Sequence, residues 1–265
     1  MNHEKRLDHL LDYLLGEHSG RTQASPPGDY ATKRALLRKL VNIRPPRPIS
    51  DDFIRVQDTF LQEEASEKGT VSVADIPQRP WDDRILLWQG DITRLKVDAI
   101  VNAANSKLLG CFVPCHSCID NAIHTYAGVQ LRGACHDLMQ VQGHDEETGT
   151  TKITLAYNLP SRYVLHTVGP IVKGTVTQKH RDELASCYHS CFTLAKEHGL
   201  GSIAFCCIST GEFRFPKRAA AEIAVQTARE FLANDLQVKR VVFNVFRDDD
   251  YEIYHDLLGR NEHEI

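Results

Sequence analysis

The chain has 265 residues, enough for one full α/β domain and an extension but short for two large domains. Hydrophobic residues make up 42% and charged residues 25%, ordinary globular usage, and the formal net charge of −4 argues against general nucleic-acid binding. No apolar run approaches the roughly 20 residues of a membrane helix, and Met1–Arg6 leads into no apolar signal core, so a cytoplasmic protein with no membrane partner is expected. Along the chain, Leu7, Leu10, Leu11, Leu14 and Leu15 fall at helical spacing. Leu36, Leu37, Leu40 and Val41 predict a second helix, stopped by Arg44-Pro45-Pro46-Arg47-Pro48. Ser50, with Asp51 and Asp52 behind it, caps a third that carries Phe53, Val56, Phe60 and Leu61. Residues 1–80 thus read as a helical extension with proline-rich linkers and no catalytic pattern.

From about residue 84 strands and helices alternate. Residues 85–88 and 99–102 read as strands. Ile119, Ile123, Ala127, Leu131, Ala134 and Leu138 mark one face of a single long helix. Residues 153–156 and 163–166 read as short strands around the Asn158-Leu159-Pro160 turn. A helix at 183–197, a strand at 202–208, a helix at 217–233, a strand at 240–246 and a helix at 251–258 follow. This order predicts an α/β domain over residues 81–265, with helices on both faces of a mostly parallel sheet. Ligands of such sheets sit at the carboxyl ends of the strands.

Four segments stand at those ends. In Gly90-Asp91-Ile92-Thr93 the carboxylate can accept hydrogen bonds from an exocyclic amine. In Val101-Asn102-Ala103-Ala104-Asn105 small residues permit close approach and two amides supply donors and acceptors. Ile208 to Pro216, with Ser209, Thr210, Gly211, Glu212 and Phe213, runs into a helix, and its backbone N–H groups can form an anion cradle. Phe246-Arg247-Asp248-Asp249-Asp250-Tyr251 offers an aromatic for stacking on a base, or a core residue followed by capping acids.

Together with His166-Thr167-Val168-Gly169-Pro170, the first three of these segments resemble the signature runs of macrodomains, in order and in spacing. The resemblance covers about residues 84–260. It implies a three-layer α/β/α fold with a mixed, mostly parallel sheet and an ADP-ribose cleft at its carboxyl edge. It also implies that Asp91 binds the adenine amine with Ile92 beside it, that Asn105 faces the distal ribose, that residues 209–213 wrap the diphosphate, and that Phe246 packs near adenine.

The run from Leu109 to His124 departs from the glycine-rich loop of other macrodomain hydrolases. Three of the chain's eight cysteines lie between positions 111 and 118. Thiolate and imidazole are zinc's preferred ligands, and Cys111, His116 and Cys118 lie close enough for one loop to bring all three to an ion. Three protein ligands leave a tetrahedral position open, the pattern of catalytic zinc. Cys115 is the rival for His116, and His124 is a further candidate ligand. The loop resembles that of zinc-dependent macrodomains, a subgroup that also carries a helical N-terminal extension. That resemblance implies one Zn2+ per chain and hydrolysis of protein-linked mono-ADP-ribose. Some members are associated with sirtuin-type ADP-ribosyltransferases and lipoyl-carrier proteins. Asp120 matches the position of the acid in macrodomain hydrolases and either orients or deprotonates the attacking water, or caps its helix.

Two rival readings keep the cleft and change its use. One is an ADP-ribose reader with a structural zinc; the other is an O-acetyl-ADP-ribose deacetylase. An oxidoreductase is disfavoured, because the chain has no G-x-G-x-x-G fingerprint.

Overall fold

The computed structural model describes residues 1–19, 28–78 and 83–259. The extension holds α1 (His3–Ser19), α2 (Tyr30–Ile43) and α3 (Asp51–Lys68), followed by a short strand β1 (Val71–Ser72). Leu7, Leu10, Leu11 and Leu14 of α1 meet Leu37 and Leu40 of α2 and Phe53, Phe60 and Leu61 of α3 in an apolar core separate from that of the main domain. Ser50 caps α3 as expected, its side chain accepting from Phe53 N at 3.2 Å. The boundary expected near residue 80 falls outside the described residues.

The main domain runs β2 (Ile85–Gln89), β3 (Leu95–Lys96), β4 (Ala99–Ala103), α4 (Ile119–Ala127), α5 (Val129–Gln142), β5 (Thr151–Leu155) and β6 (Tyr163–Thr167). It continues with α6 (Gln178–Glu197), β7 (Ser202–Phe205), α7 (Lys217–Asn234), β8 (Arg240–Val245) and α8 (Asp248–Leu258). Six strands form one sheet in the order β2-β8-β7-β4-β6-β5, and β1 pairs with β3 apart from it. Every pairing in the large sheet is parallel except β5 with β6. The central strands are fully buried at Ile100, Val101, Ile203, Val241 and Val242, as expected of strands covered on both faces. Helices α6, α7 and α8 pack side by side in one layer, and α4 and α5 lie in the other, with α2 against α4. Right-handed crossovers require this split, because the chain moves across the sheet in opposite directions after β4 and after β6. The result is the expected three-layer α/β/α fold with a mixed, mostly parallel sheet.

The single helix expected through Leu138 is instead two. Gly128, at φ +96°, ends α4 and starts α5, and a Cβ there would stand 2.6 Å from Gln57 Nε2 of the extension. Two strands also stop early. β7 ends at Phe205 and β8 at Val245, which releases Cys206 to Ser209 and Phe246 into the loops at the carboxyl edge.

Candidate active site

The carboxyl ends of four parallel strands carry the expected segments to one edge of the sheet. After β2, Asp91 caps a short 3-10 turn, its Oδ1 accepting from Thr93 N at 3.0 Å and from Thr93 Oγ1 at 2.6 Å, with Ile92 buried beneath. After β7 the chain turns through two left-handed residues, Ser209 at φ +64° and Arg214 at φ +60°. Phe215 N donates to Ser209 O at 2.9 Å and Arg214 N to Gly211 O at 3.0 Å, leaving Gly211 and Glu212 exposed between them. Val172 N ties Phe213 O to the next loop at 2.8 Å, and Thr210 Oγ1 donates to Cys207 O at 3.1 Å. The buried Ser209 Oγ has no hydrogen-bond partner. Beyond β8, Phe246 is 75% exposed, so it does not close the core.

The loop between β4 and α4 brings ligand atoms of Cys111, His116 and Cys118 within 4.8 Å of one another. Such spacing suits three donors around one ion. His116 Nδ1 is buried without a hydrogen-bond partner, an orphan of the kind that a metal would satisfy. Burial pushes the Cys118 thiol up to about 12, the neighbouring Cys111 and Asp120 adding to it against the N–H of Asn121. Nearby cation charge would reverse that penalty. Cys115 lies outside the trio: at φ +56° it donates its N–H to Asn42 Oδ1 at 2.9 Å and turns its sulfur toward Ala35 O at 3.7 Å. Gly110 needs its glycine, being at φ +78° with the His124 ring 2.8 Å from where a Cβ would sit.

Asp120 does not cap α4. Cys118 does, its sulfur accepting from Asn121 N at 3.4 Å. The Asp120 carboxylate points instead toward the sheet, where Asn102 Nδ2 donates to Oδ1 at 2.8 Å and Asn105 Nδ2 to Oδ2 at 3.3 Å. Complete burial raises its pKa to about 6, while Asn102, Arg132 and Asn105 pull it back. Asn105 also donates to Gly110 O at 3.2 Å, so one amide links the acid to the start of the cysteine loop.

Behind Asp120 lies a buried trio of His124, Cys135 and His166. His124 Nε2 stands 3.5 Å from Asp120 Oδ1, yet neither ring nitrogen makes a hydrogen bond. His166 bonds with Asn102 at 3.2 Å and with Thr154 at 2.9 Å. Burial holds His166 down at about 3, and burial with the charges of His166 and Arg132 holds His124 well below its usual range. An unfolded histidine titrates near 6.5, so between about pH 6.5 and 3 the unfolded chain binds more protons. Stability attributable to His166 is therefore complete above pH 6.5 and declines as pH falls, by about 1.4 kcal/mol per pH unit. Asp120, raised in the fold, acts in the opposite sense over its own window. The expected result is that His166→Gln flattens the acid-side loss of urea-unfolding free energy relative to wild type. Parallel curves from pH 7.5 to 5 would refute it.

The site closes where two loops meet. His116 Nε2 approaches Glu212 Oε1 at 3.6 Å, which sets the cysteine loop against the Ser209–Phe213 turn. Sequence reasoning missed Asn102 as the partner of Asp120, although it stands in the same run as Asn105. It also missed Arg132, whose Nε holds Leu109 O at 2.7 Å at the start of the loop. A lone arginine on a helix gave no signal for that role.

A parallel sheet sandwiched between helices, with an acid, two amides and a small-residue turn gathered at its carboxyl edge, defines a macrodomain. The Macro domain family model matches residues 101–224, and the chain belongs to that family. It is similar over its length to a protein-ADP-ribose hydrolase of Treponema medium, 50% identical over 263 residues, covering 98% of this chain and 100% of that protein. A protein-ADP-ribose hydrolase from Staphylococcus aureus is 43% identical over 261 residues, covering 98% of this chain and 97% of that protein. Among solved structures, a point-substituted Oceanobacillus iheyensis macrodomain with ADPR matches at a TM-score of 0.63 and 38% identity, over 69% of this chain and 96% of that one.

Proposed function

We propose that the protein is a zinc-dependent hydrolase that removes mono-ADP-ribose from modified protein side chains, cleaving a carboxylate-linked bond. One observation carries this reading. The Cys111–His116–Cys118 cluster, the Asn105–Asp120 pair and the Ser209–Phe213 turn stand together at the carboxyl edge of the sheet, with His116 and Glu212 3.6 Å apart. The names of the full-length relatives support hydrolysis. The chemistry of the donor set and the orphaned His116 Nδ1 support the metal.

Zinc held by those three residues supplies Lewis-acid chemistry, polarising oxygen and making water a stronger acid near neutral pH. The chain's own residues do the remaining work. Asp91 accepts from the adenine amine, and since Thr93 occupies its Oδ1, Oδ2 is the oxygen offered. Ile92 packs the same end and the exposed Phe246 covers the base. The backbone of residues 209–213 receives the diphosphate, and Asn105 orients the distal ribose. Asp120 takes a proton from the attacking water; its raised pKa keeps a carboxylate available near neutral pH yet basic enough to act. Water adds across the bond, leaving free ADP-ribose and a free protein carboxylate. On the resemblance alone, the proposed acceptor is a lipoyl-carrier-type protein modified by a sirtuin-type ADP-ribosyltransferase.

The test is release of ADP-ribose from a glutamate-modified protein, followed by mass spectrometry with chelator, without it, and with zinc restored. Release that chelator stops and zinc restores is expected. A reader binds ADP-ribose and releases nothing in any tube. Turnover of O-acetyl-ADP-ribose alone would assign the deacetylase.

A further inference from the structure

We infer that helix α2 of the N-terminal extension is a positioning element for the metal loop, acting through Arg38 and Asn42; the inference rests on the zinc reading above. Arg38 Nη2 donates to the backbone carbonyl of His116 at 2.9 Å and to Asn121 Oδ1 at 2.8 Å. Asn121 in turn donates its side-chain amide to Val113 O at 3.1 Å and its N–H to Cys118 Sγ at 3.4 Å. Four residues along α2, the fully buried Asn42 accepts from Cys115 N at 2.9 Å and donates to Thr125 Oγ1 at 3.0 Å. Thr125 closes the circuit on Asn121 O at 2.7 Å. Two residues of α2, one turn apart on the same face, thus grip the loop at Cys115 and at His116.

Two further observations point the same way. Cys115 sits at φ +56° without being glycine, a conformation that persists only where its surroundings over-determine it. The Asn42 acceptor on its N–H is part of that determination. The other end of the loop also leads back to α2. Arg132 holds Leu109 O, two residues before Cys111, and donates to Val41 O at 2.9 Å and to Arg44 O at the end of the helix. Partners of this kind, touching the ligands' backbone rather than the ion, orient a site and strengthen metal binding. Through these bonds the extension positions the loop that carries the three donors.

The test compares full-length wild type, Arg38→Ala and Arg38→Lys, loaded with zinc, by the rate at which zinc passes to a colorimetric chelator. Calorimetric ADP-ribose affinity and the melting temperature are measured on the metal-free proteins. Arg38→Ala is expected to lose zinc about tenfold faster or more. Arg38→Lys should fall between, because an ammonium lacks the fixed fork that reaches both acceptors. ADP-ribose affinity should stay at the wild-type value, and metal-free melting should fall by no more than the few degrees that the lost hydrogen bonds of Arg38 account for. Zinc loss at the wild-type rate in both variants overturns the inference, as does a matching fall in metal-free melting and ADP-ribose affinity, which would mark a packing role. A wild-type protein that takes up no stoichiometric zinc sinks the zinc reading itself and this inference with it.

Discussion

Cys118→Ser is expected to retain the fold and the ADP-ribose affinity of the parent while losing stoichiometric zinc and at least about a hundredfold in ADP-ribose release. The choice of serine matters. Cys118 has two jobs in this reading: its sulfur stands with Cys111 and His116 as a proposed zinc donor, and it receives the N–H of Asn121 at the start of α4. Alanine would remove both, and loss of a helix cap alone costs about 1 kcal/mol. Serine keeps the cap, since a hydroxyl accepts from the same N–H, but is a poor zinc ligand. The hundredfold figure is a floor, because loss of a partner behind a ligand already costs 10–100-fold in affinity or activity. Metal content by elemental analysis and turnover by mass spectrometry check it together. Wild-type turnover from a zinc-free Cys118→Ser protein would end the metal reading and leave the nucleotide cleft standing.

Asp120→Asn carries the second large effect. A positioned general base contributes about 10²–10⁴ to the rate, so kcat should drop by that factor while zinc content and ADP-ribose affinity hold. A stability cost accompanies it. Asn102 donates to Oδ1 and Asn105 to Oδ2, and an asparagine places an oxygen at only one of those two positions. The other then sets one donor against another, for an expected loss of about 1–3 kcal/mol by urea unfolding. A wild-type kcat would remove Asp120 from the mechanism, whatever the change in stability.

Much of this architecture can be read along the chain. The leucines of α1, the Ser50 cap of α3 and the apolar runs of β4 and β8 each follow from one local rule, period or capping, which the fold obeys. The cluster of Cys111, His116 and Cys118 was legible as three zinc-type donors in one short loop, although the same span holds Cys115, whose sulfur turns away to Ala35 O. What local rules could not reach was set by distant partners. Gly128 reads as an ordinary small residue within a helical period, but the amides of Gln57 and Asn158 occupy the space a side chain would need. Asp120 two residues past Cys118 looks like a cap; the sulfur takes that role and the sheet's amides draw the carboxylate inward. Arg38 and Asn42 fall between the apolar residues Leu37, Leu40 and Val41 of α2, and no local rule assigns them a partner. Only the docking of α2 on α4 shows that they are turned inward.

Alongside the apolar contacts of Ile76 and Val129, directional bonds cross the junction between extension and main domain: Gln57 with Gln130 and Val129, Asp58 and Gln62 with Asn158, Arg132 with the end of α2. An oily junction tolerates sliding, because apolar attraction has no preferred angle. Directional bonds accept one alignment and reject its neighbours. The same junction makes the main domain a poor fragment. Cut free near residue 80, it would present Asn121, Thr125 and Arg132 stripped of their mates, and a truncated protein should be soluble in part yet slack where the cysteines sit.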